Sequence, residues 1–394
     1  MVEWKKLGEV CEFQNGFAFK SNLFKAYGNP IIRITNITSN NVDMTDCKFF
    51  DIHDYSKYNL SSFEVTSEDI LLAMSGATTG KIGLYKGQHK AYINQRVGKF
   101  IPHTKALSNG YLYHYLLSKT VDLYIMAGGG AQPNLSSNKL MEELLIPIPS
   151  LEEQTRIVGI LDTFTSAIDN LKEQIALRRK QYEYYRDQLL DLEGKPGVEM
   201  KEMWEVTAWD KRFQGVDKSM QSRIIPYTYL LAKDLFALAV PNGNIKLLST
   251  GVQEGWTTEK LAGDYLSEGE VVTIPWGKSP GAQNPVKYYN GKFVTGDNRI
   301  ATSLDTNVLD NKFLYYWMYS KSDIIETFYR GAGIQHPSMF KILTMKVSIP
   351  HISEQQRIVS ILDTFEASIQ NLEVQLSQRE KQYEYYRNKL LTFD

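Results

Sequence analysis

With 394 residues, 43% hydrophobic and 23% charged, the chain has an ordinary globular composition and a length suited to two or three domains. It contains no run of about 18 apolar residues, which excludes a membrane-spanning helix, and its opening MVEWKKLGEV lacks the basic-then-apolar pattern of a signal peptide, so a cytoplasmic location is expected. Two cysteines, Cys11 and Cys47, offer neither a zinc spacing nor a disulfide framework, and a net charge of −1 excludes indiscriminate coating of nucleic acid while leaving room for a local basic face.

The first module, residues 1–149, reads as mixed α/β with short strands at IIRITNI, DILLAM and IGLY and a helix near Tyr111 to Tyr124. From Ile70 to Val121 no acidic residue occurs, yet Lys81, Lys86, Lys90, Arg96, Lys99, Lys105 and Lys119 do. Such a stretch suits phosphate contact through counterion release. It also holds side chains that bind base edges, since Asn and Gln pair with adenine and Arg or Lys with guanine. The candidates here are Arg33, Asn36, Thr78, Thr79, Lys81, Asn94, Gln95, Arg96, Gln132 and Asn134. GATTGKIG at Gly76 resembles a phosphate-binding loop but is one residue short between its glycines and has Ile82 where a magnesium-binding hydroxyl is required. A tight turn is the better reading of its glycines.

Residues 150–194 follow as a coiled-coil helix. Apolar side chains fall at Ile157, Leu161, Phe164, Ile168, Leu171, Ile175, Tyr182, Tyr185, Leu189 and Leu192, in steps of four and three interrupted once by Arg178. That is the a/d seam of a heptad repeat. Pro149 suits the entry of the helix, and Gly194, Lys195, Pro196 and Gly197 end it.

The second module, 195–350, is expected to be α/β as well, with strands at IKLLST, EVVTIPW and GKFVTG and a helix near Phe313 to Phe328. Val271 to Gly296 and Thr327 to Ser353 are free of acidic residues. Base-edge candidates are Trp256, Thr257, Trp276, Lys278, Gln283, Asn284, Asn298, Arg299, Gln335 and His336. Residues 351–394 then repeat the first helix at a constant offset of 201, with about 60% of positions identical. The seam recurs as Ile358, Leu362, Phe365, Ile369, Leu372, Leu376, Tyr383, Tyr386, Leu390 and Phe393, broken once by Arg379.

Weaker echoes extend the repeat into the modules: VEWKKLGEV and VEMKEMWEV, YLYHYLLSK and FLYYWMYSK. The chain is a tandem of two halves whose helices have stayed alike while the modules diverged. Each helix is roughly 60 Å long at about 1.5 Å per residue. A compact second module joins the end of one helix to the start of the other, so those ends must be close and the seams must pair antiparallel. The expected architecture is α/β (α+β): two globular bodies separated by an antiparallel two-helix coiled coil, with approximate two-fold symmetry. The alternative packing folds each helix onto its own module as an ordinary amphipathic helix.

No HExxH, GxSxG or GxGxxG motif is present, and no carboxylate pair stands out. No catalytic residue, metal site or bound cofactor is assigned to this chain. The opening EWKKLGEV, the pattern GGGAQPNLS…IPIPSLEEQTRI, its copy GAGIQHPS…SIPHISEQQRI and the repeated heptads together resemble the specificity subunits of type I restriction–modification systems, over nearly the whole chain. The resemblance implies that each module is a target-recognition domain for one half of a split sequence in double-stranded DNA. It implies that the paired helices set the spacing and dock two methyltransferase (modification) subunits carrying S-adenosylmethionine. Restriction/translocase subunits using ATP and Mg would join that core. Asn29-Pro30-Ile31 and Asn284-Pro285-Val286 do not match the NPPY-type motif of an adenine methyltransferase, in keeping with a non-catalytic part. Two rival classes predict different behaviour: a coiled-coil scaffold binding proteins without DNA readout, and a self-sufficient DNA-modifying enzyme.

Overall fold

The alternating apolar positions fold as two 40-residue helices, Leu151–Leu190 and Ile352–Leu391. The computed structural model describes residues 2–130, 133–251, 253–279 and 286–393, which fall into two compact units, 2–173 with 374–393, and 174–373. Each unit therefore combines one module with a portion of both long helices, and within each unit the two helices run antiparallel. In the first, Phe164 stacks on Tyr386 with ring centroids 5.3 Å apart, and further along Lys172 pairs with Glu380 at 3.2 Å. In the second, Arg179 pairs with Glu373, and Tyr185 stacks on Phe365 at 5.5 Å.

Burial along the seams follows what lies against them. Ile157, Leu161, Ile358 and Leu362 pack into the main core of their unit and are completely buried. Ile168, Ile175, Tyr182 and Leu192 are also buried, whereas Phe164, Leu171, Leu189, Phe365, Ile369, Leu372, Leu376, Tyr383, Leu390 and Phe393 are half-buried. Tyr185 and Tyr386 keep 47% and 40% of their surface exposed even though each stacks on a phenylalanine of the other helix. The arginines that interrupt the seam have a packing role: Arg178 lies over the Phe365 ring and Arg379 over Phe164. A guanidinium on a ring face keeps its charge in water while its stem covers apolar surface.

The first module contains two four-stranded sheets. One runs Cys11–Asn15, Val97–Pro102, Ile70–Ala73, Ile82–Leu84; the other runs Lys48–Phe50, Asn29–Ile32, Ala91–Ile93, Glu64–Val65. The second module has a single six-stranded sheet in the order Thr207–Trp209, Asn298–Ser303, Ser267–Pro275, Lys287–Thr295, Ile245–Leu248, Trp256–Thr257. The difference has a local cause. In the first module Val65 and Ile70 are separated by a turn at Glu68, whose φ is +72°, and the facing chain also breaks between Leu84 and Ala91. In the second, two nine-residue strands run straight through, with Gly269 opposite Gly291, whose φ is +134°. Glycine admits that backbone angle where a side chain would be strained, so one long hairpin replaces two short ones.

The expected helices near Tyr111 and Phe313 are each two helices, Asn109–Ser118 with Thr120–Met126, and Asn311–Ser320 with Ser322–Glu326. Ser108 and Asp310 cap them through side-chain oxygens that accept from Tyr111 and Phe313 N–H. In the first unit the capped helix is tied to both long helices through His114, which is completely buried. A carboxylate can only accept, so His114 Nε2–H donates to Asp162 at 2.8 Å and Nδ1 accepts from the Tyr383 hydroxyl at 3.1 Å. Burial pushes this imidazole below its usual range, which keeps it in the neutral form those two bonds require. In the second unit Tyr316 takes this place and donates to Asp363 at 2.6 Å.

Each module closes on itself. Glu3–Lys6 pairs antiparallel with Leu145–Ile148, and Glu199–Glu202 with Lys346–Ile349, immediately before the long helix begins. A buried glutamine on the first turn then fixes the helix to its module. Gln154 accepts from Ser108 N–H at 2.8 Å and donates to Ala106 and Pro149 carbonyls; Gln355 accepts from Asp310 N–H at 2.9 Å and donates to Val308 and Pro350 carbonyls. Replacing Gln355 with Leu would strand these buried groups, each at about 1–3 kcal/mol. The expected outcome is a loss of about 3 kcal/mol or more in denaturant unfolding. An unchanged midpoint would show that the amide contributes nothing to holding the helix.

Candidate nucleic-acid interface

In the first module the candidate residues gather where the strands 70–73 and 97–102 meet at Ala73 and Val97. Met74 N–H donates to the Arg96 carbonyl, Leu135 N–H donates to the Met74 carbonyl, and Ser75 bridges to Asn134. Arg96 Nη1 donates to Asn134 Oδ1 at 3.1 Å, and the Thr78 hydroxyl donates to the Ile34 carbonyl at 3.0 Å, adding the turn Ile34–Asn36 to the group. Within it, Gln95, Arg96 and Asn134 are exposed, while Thr78, Lys81 and Asn94 are half-buried. Gln132 lies outside the described residues.

Three of the candidates are committed inward. Asn36, 4% exposed, accepts from Arg33 N–H and donates to the carbonyls of Asp43 and Asp46; the Arg33 guanidinium also donates to the Asp46 carbonyl. Thr79 is buried and its hydroxyl donates to the Gly76 carbonyl. The loop that resembles a phosphate cradle is a closed turn: Thr79, Gly80 and Lys81 N–H groups donate to Gly76, Ala73 and Thr78 carbonyls, so they cannot also hold a phosphate. Gly80, at φ +83°, lies close against the backbone of Thr120 and Tyr124, so a side chain there would be both strained and crowded.

In the second module the corresponding strand ends carry Ile274 opposite Arg299 and Pro275 opposite Asn298. The Trp276 ring lies 4.6 Å from the Arg299 guanidinium and 4.9 Å from the His336 ring. His336 Nδ1 sits 2.8 Å from the Trp276 carbonyl, which only accepts, so Nδ1 carries the proton. Lys278 and Gln335 exchange backbone hydrogen bonds. His336 is exposed, and Trp276 and Gln335 are half-buried.

Other candidates of this module are structural. Arg299 is 2% exposed; its Nη1 donates to Asp210 at 3.0 Å and to the Asn298 carbonyl, and its Nη2 to Asp297. Burial pushes the Asp210 carboxyl up, against the opposing pull of the Ile300 N–H and Arg299. Asn298 donates to the Leu248 carbonyl, and buried Lys278 pairs with Glu326 over the Tyr329 ring. Thr257 is fully buried beside the exposed Trp256 on the edge strand at the far side of the sheet, away from the Trp276 group. Gln283 and Asn284 lie outside the described residues. Sequence reasoning missed Asp210, because nothing in the chain signals that a carboxylate 89 residues away will face Arg299.

The runs free of acid in sequence are largely compensated in space. Lys86 pairs with Asp169, Lys90 with Glu64, Lys99 with Asp69, Lys119 with Asp122 and Lys292 with Glu259. Lys287 donates to the Ser249 and Gly251 carbonyls, and its burial lowers the ammonium below the usual lysine range. Lys81, Arg96 and Arg330 have no acidic partner among the described residues, and no group of three or more metal-binding side chains occurs there either.

A model of the type I restriction modification DNA specificity domain matches residues 1–178 and 233–379. The Escherichia coli type I restriction enzyme EcoR124I/EcoR124II specificity subunit is 28% identical over 323 residues, covering 72% of this chain and 70% of that protein. The MjaVIII specificity subunit of Methanocaldococcus jannaschii is 24% identical over 358 residues, covering 83% and 79%. In fold, the chain is similar to the crystal structure of the type I restriction–modification S subunit from M. genitalium, with a TM-score of 0.66 at 14% identity over 100% of this chain and 97% of the other. It is also similar to a chain from a structural study of type I complex assembly, with a TM-score of 0.54 at 16% identity over 100% and 98%.

Arg299→Ala leaves Asp210 buried without its cation, a change expected to cost about 3–5 kcal/mol. Without the guanidinium the Asp210 carboxyl titrates higher still. A carboxyl whose folded pKa exceeds its unfolded one loses stability as pH rises between the two. The deficit of the variant should therefore be smaller at pH 5 than at pH 8 in urea unfolding. A deficit independent of pH would remove Asp210 as its source.

Proposed function

The chain belongs to the type I restriction–modification DNA specificity family, and from that premise we propose that its two modules, 1–149 and 195–350, each read one half of a bipartite duplex sequence. The observation that carries this reading is a repeated one. Both modules bring a polar loop after one strand together with the start of its antiparallel neighbour and with a later segment, 133–135 or 335–337, at the same strand end. Thr78, Lys81, Asn94, Gln95, Arg96 and Asn134 would meet DNA from the first module, and Trp276, Gln335 and His336 from the second. Arg33, Asn36, Thr79, Lys278, Asn298 and Arg299 would hold those loops in shape from beneath.

In this reading the paired helices set the distance between half-sites. Two modification subunits bearing S-adenosylmethionine would supply the methyl transfer, and restriction subunits would add ATP- and Mg-dependent steps. The adjacent tyrosines Tyr184 and Tyr185, and their repeats Tyr385 and Tyr386, are all 40% or more exposed on the long helices. They offer flat apolar faces with hydroxyl tips to such a subunit.

Two measurements test the proposal on the full chain in complex with its modification subunit. The logarithm of the DNA-binding constant should fall linearly with the logarithm of salt concentration, and Lys81→Ala and Arg330→Ala should each reduce the slope by about one. Negligible salt-dependent DNA affinity of the wild-type complex would favour a scaffold that binds protein alone. Inserting one heptad into both long helices at repeat-related positions should lengthen the gap in the methylated sequence by about three base pairs, at about 1.5 Å per residue and 3.4 Å per pair, and leave the half-sites unchanged. A constant gap would rule out the helices as the spacer.

A further inference from the structure

We infer that the two modules read different bases because each has an arginine where the corresponding strand begins and the fold treats the two oppositely: Arg96 is presented to a guanine, whereas Arg299 is withdrawn and a Trp276–His336 pair faces an A·T pair in its stead. The inference rests on the DNA-reading function proposed above and assigns its chemistry.

The equivalence is one of sequence: Gln95-Arg96-Val97 and Asn298-Arg299-Ile300 open corresponding strands. Their registers differ, since Arg96 stands one residue beyond the Ala73–Val97 pair, whereas Arg299 lies within its ladder opposite Ile274, one pair from the end. Each follows an amide, Gln95 or Asn298, and each lies next to the loop that continues from the neighbouring strand. Their surroundings then diverge. Arg96 is exposed, has no carboxylate partner among the described residues, and donates one N–H to Asn134 Oδ1. A guanidinium has five N–H donors in a fixed fork, so most remain available while the amide restrains the side chain. Guanine offers two adjacent acceptors, O6 and N7, in the major groove, and no other base offers that pair. Prior restraint of the fork lowers the entropy lost on binding.

Arg299 cannot do this. Both of its Nη atoms are engaged, its charge is balanced by Asp210 and Asp297, and it is 2% exposed. What it does instead is support one face of Trp276. Beside the same indole stands exposed His336, whose Nδ1–H is taken by the Trp276 carbonyl. With Nδ1 as the donor, Nε2 is the ring atom that can accept when the imidazole is neutral. An A·T pair shows an amine donor, adenine N6, and an apolar group, the thymine methyl, in the same groove. An acceptor beside an indole matches that pattern, and guanine O6, another acceptor, would face Nε2 without a proton between them. Arg299 is thus a positioning residue for this pair.

The test is selection from random duplexes by the full chain in complex with its modification subunit, followed by sequencing. The wild type should select guanine in one half-site and an A·T pair in the other. Arg96→Lys keeps the charge but not the fork, and should lower discrimination at one guanine about tenfold or more while leaving the other half-site intact. His336→Ala should relax one A·T position in the opposite half. Both side chains are exposed, so folding is not at stake. If the wild type selects a sequence but Arg96→Lys preserves every position, or relaxes a base other than guanine, the inference fails and the DNA-reading function stands. Relaxation of the same half-site by both variants also overturns it. If the wild type selects no sequence at all, the DNA-reading function itself fails.

Discussion

An isolated helix of forty residues with a continuous apolar seam has no stable place in water until that seam is covered. Here the cover is double. Part of each seam is closed by the antiparallel partner, and the first turns are closed by the core of a module, where Ile157, Leu161, Ile358 and Leu362 lose all exposure. The buried amides of Gln154 and Gln355 then fix the angle at which helix leaves module, because each meets three backbone groups with fixed directions. Aromatic rings, Phe164 on Tyr386 and Phe365 on Tyr185, set the register within each unit. The positions of the loops at the strand ends of each module follow from these contacts.

The pairing of the helices was legible because it is a matter of period, and a four-three alternation survives any change at the polar positions. Even the seam interruptions at Arg178 and Arg379 were visible as repeats, although their seat on a phenylalanine ring was not. Strands and helices of the modules were readable in outline. The breaks at Lys119 and Lys321 were not, since Ser118-Lys119-Thr120 and Ser320-Lys321-Ser322 hold no proline or glycine to mark them. Side-chain type was a weaker guide in the interface. Arg96 and Arg299 look alike in sequence, and only the distant partners Asn134 and Asp210 separate an exposed guanidinium from a buried one. Acid-free runs misled for a similar reason: Lys86, Lys90 and Lys99 find their carboxylates across the fold.

The modules have diverged in backbone as well as in side chains. A turn at Glu68 splits one hairpin into parts of two sheets, and a glycine pair at the matching point leaves the other whole. Such changes alter what the strand ends present while leaving the helix-facing side alone. His114 and Tyr316 show how far substitution can go there: different groups, the same tie to an aspartate on the long helix.

The short ribbons that join residues 3–6 to 145–148 and 199–202 to 346–349 carry a wider implication. Because first and last strands lie side by side, everything between them is, to the helices, a detour that departs from and returns to one doorway. The entropy of closing a detour grows only with the logarithm of its length. A body of another size or fold could occupy the same doorway without disturbing the frame, so this design lets new addresses be written without rebuilding the machine that uses them.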